Sequence, residues 1–252
     1  MAPLQTISFD LWDTVFINNS DEPRRKELGL PTKNEERREL VWRFLQKYGP
    51  ISRKLIDLTY DTIDKSFREA WEKKQITGSV SKRLEQVLSG LQRGLPEDDF
   101  SELVRLHETM ELRTRPKIVP GAAKALKTLH QKYKLVIISD TIFTPGWGLR
   151  RLLRAHRLLD LFIGFVFSDE IGHSKPHQKV FQKAAQLADC KLSKLVHVGD
   201  RERNDIEGAK NVGAKAILFT ACLESHDPNT KADAICDSFS KLPTIIESLD
   251  QP

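Results

Sequence analysis

Short apolar runs that each stop at a hydroxyl or carboxylate residue recur along this sequence. Leu4 to Phe9 stops at Asp10, Leu135 to Ile138 at Ser139, Ile163 to Phe167 at Ser168, and Leu195 to Val198 at Gly199-Asp200. Ala216 to Phe219 is a further run, and the tail from Ala234 to Leu249 holds one more short strand and a helix. Runs this short suit strands buried on both faces. Between them the apolar spacing is helical: from Gly121 to Leu129, Trp147 to Leu158, His177 to Leu187 and Asp205 to Val212. Alternating strands and helices force right-handed crossovers, so the sequence predicts an α/β fold with a doubly wound, mostly parallel sheet. Such sheets bind ligands beyond the carboxyl ends of their strands. The residues at those ends, Asp10, Ser139, Ser168 and Asp200, are the first candidates for chemistry.

One stretch breaks the alternation. From about Asn18 to Arg115 there is no clear strand, and apolar residues fall three or four apart in successive stripes. Leu40, Val41, Phe44, Leu45 and Tyr48 form one; Leu55, Leu58, Ile63, Phe67 and Ala70 another. Leu84, Val87, Leu88 and Leu91 follow, then Phe100, Leu103, Leu106 and Met110. Gly49-Pro50, Thr77-Gly78-Ser79 and Gly94-Leu95-Pro96 punctuate them. This spacing predicts amphipathic helices. An all-helical insert that enters after the first strand lies above the edge that carries Asp10. The expected division is a core of residues 1–17 and 116–252 and an inserted helical cap of residues 18–115.

The chemistry-bearing segments follow in order. Ile7-Ser8-Phe9-Asp10-Leu11-Trp12-Asp13-Thr14 has an Asp ending an apolar strand and a Thr four residues later. Val136 to Thr141 has Ser139 closing a strand; His173-Ser174-Lys175-Pro176 carries a Lys before Pro; Gly199-Asp200-Arg201-Glu202-Arg203-Asn204-Asp205 carries spaced acids. Together they resemble the four motifs of the haloacid dehalogenase superfamily over the core, with a Rossmann-like sheet and a helical cap implied. The resemblance implies a hydrolase whose catalytic residues are Asp10 as nucleophile, Lys175, Ser139 and Thr14. Trp12, Ser139, Asp140, Thr141 and Lys175 are the expected substrate contacts. A cation is expected on Asp10, Asp200, Asp205 and the backbone carbonyl of Trp12, with Asn204 a weaker contact.

The residue chemistry runs the same way. A carboxylate nucleophile repels a phosphate dianion unless a cation lies between them. Close carboxylates such as Asp10, Asp200 and Asp205 also repel one another unless a cation bridges them. Mg²⁺ suits a site with few carboxylates, waters and a substrate phosphate. The expected activity is therefore a Mg²⁺-dependent phosphatase acting on small phosphorylated compounds through an aspartyl-phosphate.

One position departs from the pattern. Phosphatases of the resembled family carry a second Asp two residues after the nucleophile, which protonates the leaving group; this chain has Trp12 there. Indole does no acid–base work near neutral pH. Asp13 is the only adjacent substitute, and its simplest role is bonding the loop backbone. An aromatic residue at this place points to haloacid dehalogenase chemistry, and phosphonatases also lack the second Asp. The acidic pair Asp200 and Asp205 points back to a metal. A catalytically weak binding protein is the remaining alternative, but such a chain would be expected to lose Asp10, Lys175 or Asp200.

Composition narrows the partners. Net charge is +5, but the basic residues alternate with acids, so no nucleic-acid surface is expected. Arg24-Arg25-Lys26 is a short basic run suited to drawing in a small-molecule anionic substrate. No apolar run reaches the roughly 18–20 residues of a membrane span. Met1 to Ser8 lacks the regions of a signal peptide, and Cys190, Cys222 and Cys236 are widely spaced, so a cytoplasmic protein with free thiols is expected. Candidate specificity contacts are Trp12, Asn18, Asn19, Arg24, Arg25, Thr141, Phe143 and the turn from Thr77 to Ser79.

Overall fold

The computed structural model describes residues 4–250. In chain order the elements are β1 (Thr6–Phe9), α1 (Glu22–Glu27), α2 (Lys33–Gln46), α3 (Arg53–Glu69), α4 (Val80–Gly90), α5 (Glu97–Glu108), α6 (Met110–Arg113) and α7 (Ala122–His130). Then follow β2 (Lys134–Ser139), α8 (Gly146–Ala155), β3 (Gly164–Phe167), α9 (Ser168–Ile171), α10 (Gln178–Leu187), β4 (Leu195–Gly199), α11 (Gly208–Asn211), β5 (Lys215–Phe219), β6 (Ala234–Cys236) and α12 (Leu242–Asp250). A π-helical turn, Ala70–Lys74, extends α3, and another, Glu202–Glu207, leads into α11.

All six strands are parallel, in the order β3-β2-β1-β4-β5-β6. Each strand ends within one or two residues of its apolar run. Both faces are covered: α7, α8 and α12 pack on one core, α10 and α11 on the other. The chain runs outward from β1 to β2 and β3, then crosses back to the other side of β1 for β4, β5 and β6, so the loops after β1 and β4 diverge and open a crevice. In register, Phe9 sits between Ile137 and Val198, which brings Asp10 and Asp200 to one sheet edge.

Every element between β1 and α7 is helical, and these helices have an apolar cluster of their own, centred on Val41, Leu45, Tyr60, Leu84, Val87 and Leu103. A reciprocal cap between Thr32 and Glu35 starts α2, and the Ser79 hydroxyl starts α4. One stripe differs from expectation. Leu55 and Leu58 are 46% and 56% exposed, whereas Ile56 and Tyr60 are buried. The packed face of α3 is Ile56, Tyr60, Ile63 and Phe67, at spacings of four, three and four. Two overlapping faces had helical spacing, and pairing against α2 and α4 selected this one. Tyr48 also turns outward, where its hydroxyl donates to Asp99 at 2.8 Å. The chain passes between helices and sheet at two adjacent places: Ile17 N–H donates to Lys117 O at 2.9 Å and Val119 N–H to Val15 O at 2.9 Å. Among the described residues no helix is long and apolar enough to cross a membrane.

Phe181, on α10, is fully buried, meets His197 edge-on at 5.3 Å, and fills the space a Gly208 side chain would need. Phe181→Ala is expected to cost about 3–5 kcal/mol, the usual range for an emptied aromatic site. Urea denaturation measures it; a loss under about 1 kcal/mol would mean the cluster collapses into the void.

Candidate active site

The site grows from the ends of β1 and β4. Asp10 N–H donates to Val198 O at 2.9 Å, so the strand ladder still holds the backbone where the carboxylate begins. Lys175, on the loop before α10, reaches Asp10 Oδ1 and Asp205 Oδ1, both at 2.6 Å. Lys175 is itself fixed by its backbone N–H, which donates to Asp140 at 3.0 Å. Asp205 is crowded. Its Oδ1 also meets His197 Nε2 at 3.0 Å, and its Oδ2 accepts from Arg201 N–H at 2.9 Å. The other nitrogen of His197 lies 2.9 Å from Ser8 Oγ. Nε2–H donating to the carboxylate with Nδ1 accepting from Ser8 satisfies this chain with a neutral ring. A Cβ on Gly199 would lie 2.3 Å from Asp205 Cγ, so only glycine lets this carboxylate fold back over the strand end.

Three carboxylates, Asp10, Asp200 and Asp205, offer oxygens within 4.8 Å of one another. Burial pushes Asp10 up to about 6, with Lys175 pulling against it. Burial and the charges of Asp205 and Asp10 push Asp200 up to about 8. Burial also opposes the charge on Asp205, but Lys175 and His197 outweigh it and hold that carboxyl below its ordinary range. Lys175 is raised because Asp10, Asp205 and Asp140 outweigh its desolvation.

Several buried polar atoms here have no protein partner: Asp200 Oδ1, Ser139 Oγ and Thr14 Oγ1. Buried polar groups are seldom left so. An orphaned carboxylate oxygen beside two other acids fits a hard cation. Asp205, with most of its lone pairs taken, has least to offer it directly.

The fold brings most of the sequence candidates together. A cavity of about 40 Å³ lies over Asp10, lined by Trp12, Asp140, Lys175, Asn204 and Asp205. Others fall elsewhere. Arg25 is fully buried and donates to Pro31 O and Glu36, and Arg24 pairs with Glu27 at the surface, so this basic run braces α1 instead of facing the cavity. The Thr141 and Thr77 hydroxyls both bond Ser168, at 2.9 and 2.5 Å. Asp13 accepts from Asn18 N–H at 2.9 Å in a left-handed backbone (φ 55°), and it does not line the cavity.

Trp71, Ile142 and Arg201 complete the lining, and the motifs did not single them out. Trp71, in the π-turn after α3, donates to Asp140 at 2.8 Å, and Arg201 lies over its ring at 5.1 Å. The signal for Trp71 was only an aromatic just past an apolar stripe. His197 was hidden because β4 is buried on both faces and shows no alternation.

The profile of the haloacid dehalogenase-like hydrolases matches residues 4–213. The chain belongs to this family. Glyceraldehyde 3-phosphate phosphatase of Pyrococcus abyssi is 40% identical over 102 residues, 40% of this chain and 42% of that protein. Pyrophosphatase PpaX of Bacillus anthracis is 33% identical over 157 residues, 61% of this chain and 65% of that protein. The chain thus spans under two thirds of these relatives' lengths. The 2-haloacid dehalogenase of Pseudomonas syringae superposes with a TM-score of 0.72 at 20% identity, over 98% of this chain and 99% of that one. A phosphatase of the family from Thermococcus onnurineus gives 0.63 at 19%, over 96% and 98%. At that identity the likeness shows the fold, which phosphatase and dehalogenase share.

The raised carboxyls carry a stability signature. Protonated Asp200 and Asp10 favour the folded state, and that contribution fades as pH rises from about 4 through 6 and 8. A bound cation removes the repulsion. Melting in EDTA should therefore fall between pH 5 and pH 8 at this site, and Mg²⁺ should restore more at pH 8 than at pH 5. In Asp200→Asn both the fall and the Mg²⁺ effect should shrink. Equal Mg²⁺ stabilisation at both pH values would contradict this reading.

Proposed function

We propose that the chain is a Mg²⁺-dependent phosphatase of small phosphorylated compounds, working through an aspartyl-phosphate on Asp10 in a reducing compartment such as the cytoplasm. What carries the proposal is the juxtaposition of Asp10, Asp200 and Asp205 within 4.8 Å, one orphaned carboxylate oxygen among them, and Lys175 bridging Asp10 and Asp205. The phosphatase names of two relatives support it.

In this reading Asp10 attacks phosphorus in line, and the ester oxygen departs opposite. Lys175 holds the Asp10 carboxylate in place and offers its remaining N–H to the phosphate. Ser139 Oγ, buried with no partner, donates to a phosphate oxygen, and Thr14 supports the loop. Asp10, Asp200 and the Trp12 carbonyl, with Asp205 behind them, would hold Mg²⁺, which would supply the positive charge that offsets carboxylate and phosphate. Water then attacks the acyl phosphate, releasing phosphate and restoring Asp10. Residues 18–115 act as a cap that closes over the sheet edge, with the paired crossings at Ile17–Lys117 and Val15–Val119 as the hinge. Trp71 against Asp140 is the cap's contact in the closed state.

Trp12 favours a second reading, a haloacid dehalogenase, in which a carboxylate displaces halide and no leaving group needs a proton. Halide release from 2-chloropropanoate in EDTA would establish that reading in place of the first.

Asp10→Asn should remove turnover of p-nitrophenyl phosphate while leaving the melting transition cooperative. Substantial residual turnover would exclude Asp10 as the nucleophile. Trp12 generates a sharper expectation. General acid catalysis is worth roughly 10²–10⁴-fold, so rates should fall steeply as leaving-group pKa rises from aryl to alkyl esters. Trp12→Asp should flatten that slope. A flat slope in the wild type would show that another group supplies the proton.

A further inference from the structure

Beside the small cavity over Asp10 lies a larger one of about 230 Å³, and Trp12, Ile142 and Arg201 line both. The smaller has room for little beyond a phosphoryl group. On the phosphatase reading, the rest of the substrate occupies the larger one.

The larger cavity contains an electrostatic anomaly. Arg37, on α2, is 8% exposed. It stacks on the Phe143 ring at 3.4 Å, yet no carboxylate lies within ion-pair distance of its guanidinium among the described residues. Its Nε is buried without a hydrogen-bond partner. Of the neighbouring cations, Arg201 is half exposed and only 3.9 Å from Asp200, and two others are fully engaged. Lys33 pairs with Asp21 at 2.6 Å and Glu111 at 3.5 Å, and Arg83, on the same Phe143 ring at 4.3 Å, pairs with Asp64 at 2.6 Å. Glu111, the acid lining this cavity, is turned to Lys33 and Thr144. Glu111 attracts the guanidinium from beyond ion-pair distance, and burial outweighs that attraction; a buried charge without a direct partner is costly. A flat guanidinium held rigid by an aromatic face is shaped for a two-oxygen anion.

We propose that Arg37 binds a second anionic group on the substrate's leaving portion, a carboxylate or a second phosphate, and so makes this chain selective for doubly anionic phosphate esters. Selection follows from the geometry. An ester with a neutral tail leaves Arg37 desolvated and unpaired, whereas an anionic tail supplies the missing counter-ion. The assignment rests on the phosphatase reading for what fills the smaller cavity.

The test is equilibrium binding, which does not require turnover. Asp10→Asn protein in Mg²⁺ buffer is titrated calorimetrically with 3-hydroxypropyl phosphate, 3-phosphooxypropanoate and propane-1,3-diyl bisphosphate. These differ only in the tail: neutral, carboxylate or phosphate. At least one charged tail should bind about ten-fold or more tighter than the neutral one. The better of the two names the second group. Adding Arg37→Met should abolish the advantage, and Arg37→Lys should retain part of it. Arg37→Met alone should melt no lower than wild type without ligand, because it removes an uncompensated charge and keeps an apolar stem against Phe143. Equal affinity for all three ligands in the Arg37 protein overturns the proposal, as does an advantage that persists in Arg37→Met. If Arg37→Met fails to fold, the three ligands on the parent and on Arg37→Lys still decide it. Charge-selective binding of esters that the Asp10 protein never hydrolyses would keep this subsite and reject the phosphatase reading.

Discussion

The ammonium of Lys175 is buried between two carboxylates, 2.6 Å from each of Asp10 and Asp205. Without it, the acids at this sheet edge would face one another in a desolvated pocket. One buried lysine cannot neutralise Asp10, Asp140, Asp200 and Asp205 together, and burial with the charges of Asp205 and Asp10 pushes Asp200 up to about 8. Much of the surrounding structure serves to keep this arrangement in register. Parallel pairing of β1 with β4 sets Asp10 beside Asp200, and Gly199 leaves room for Asp205. His197, itself held by Ser8, then occupies the back of Asp205, so that carboxylate works chiefly to aim Lys175. Buried ion pairs of this kind add little net stability. What they confer is one allowed position for each charge.

The strands and the order of the motifs were legible because the physics behind them is local. A strand buried on both faces needs a short apolar run, and a loop that presents a carboxylate needs the run to stop there. The sheet edge bearing Asp10, Ser139 and Asp200 follows from those two requirements. Side-chain choices made by tertiary packing were not legible. On α3 two faces had helical periodicity, and only contact with α2 and α4 distinguishes Ile56 and Tyr60 from Leu55 and Leu58. Arg25 read as a charge for drawing in an anionic substrate because its actual partners, Glu36 and Thr114, are 11 and 89 residues away. Trp71 and Arg37 join the site across the seam between helices and sheet, and no spacing rule within one segment brings them there.

On the helical side of that seam the packing is polar where a protein core would be apolar. Asp21, Lys33, Arg25, Glu36, Glu111 and Arg113 form a largely buried ion network that links α1 and α2 to the returning chain at Thr114 and, through Thr144, to the loop after β2. An apolar seam would bind more tightly but with less definite orientation. The six charged residues all belong to the inserted segment, so charged partners with few alternatives fix how α1 and α2 sit against the returning chain, and the bond from Thr144 to Glu111 ties that arrangement to the loop after β2.

The two cavities divide the problem that Trp12 creates. A carboxylate at that position would serve as an acid but would also bring another negative charge to a site already short of cations. Indole removes the charge and forms a wall shared by both cavities, which reduces water around Asp10. Fewer waters strengthen every charge interaction in the smaller space. The same exclusion leaves a departing alkoxide poorly solvated. A leaving portion that is already acidic, or that carries its own stabilising contacts in the larger cavity, meets that difficulty without a protein acid. On the phosphatase reading, the indole at Trp12 in place of a carboxylate and the guanidinium at Arg37 without an ion-pair partner thus bear on the same end of the substrate. One withholds proton assistance, and the other supplies a positive charge where the leaving portion sits.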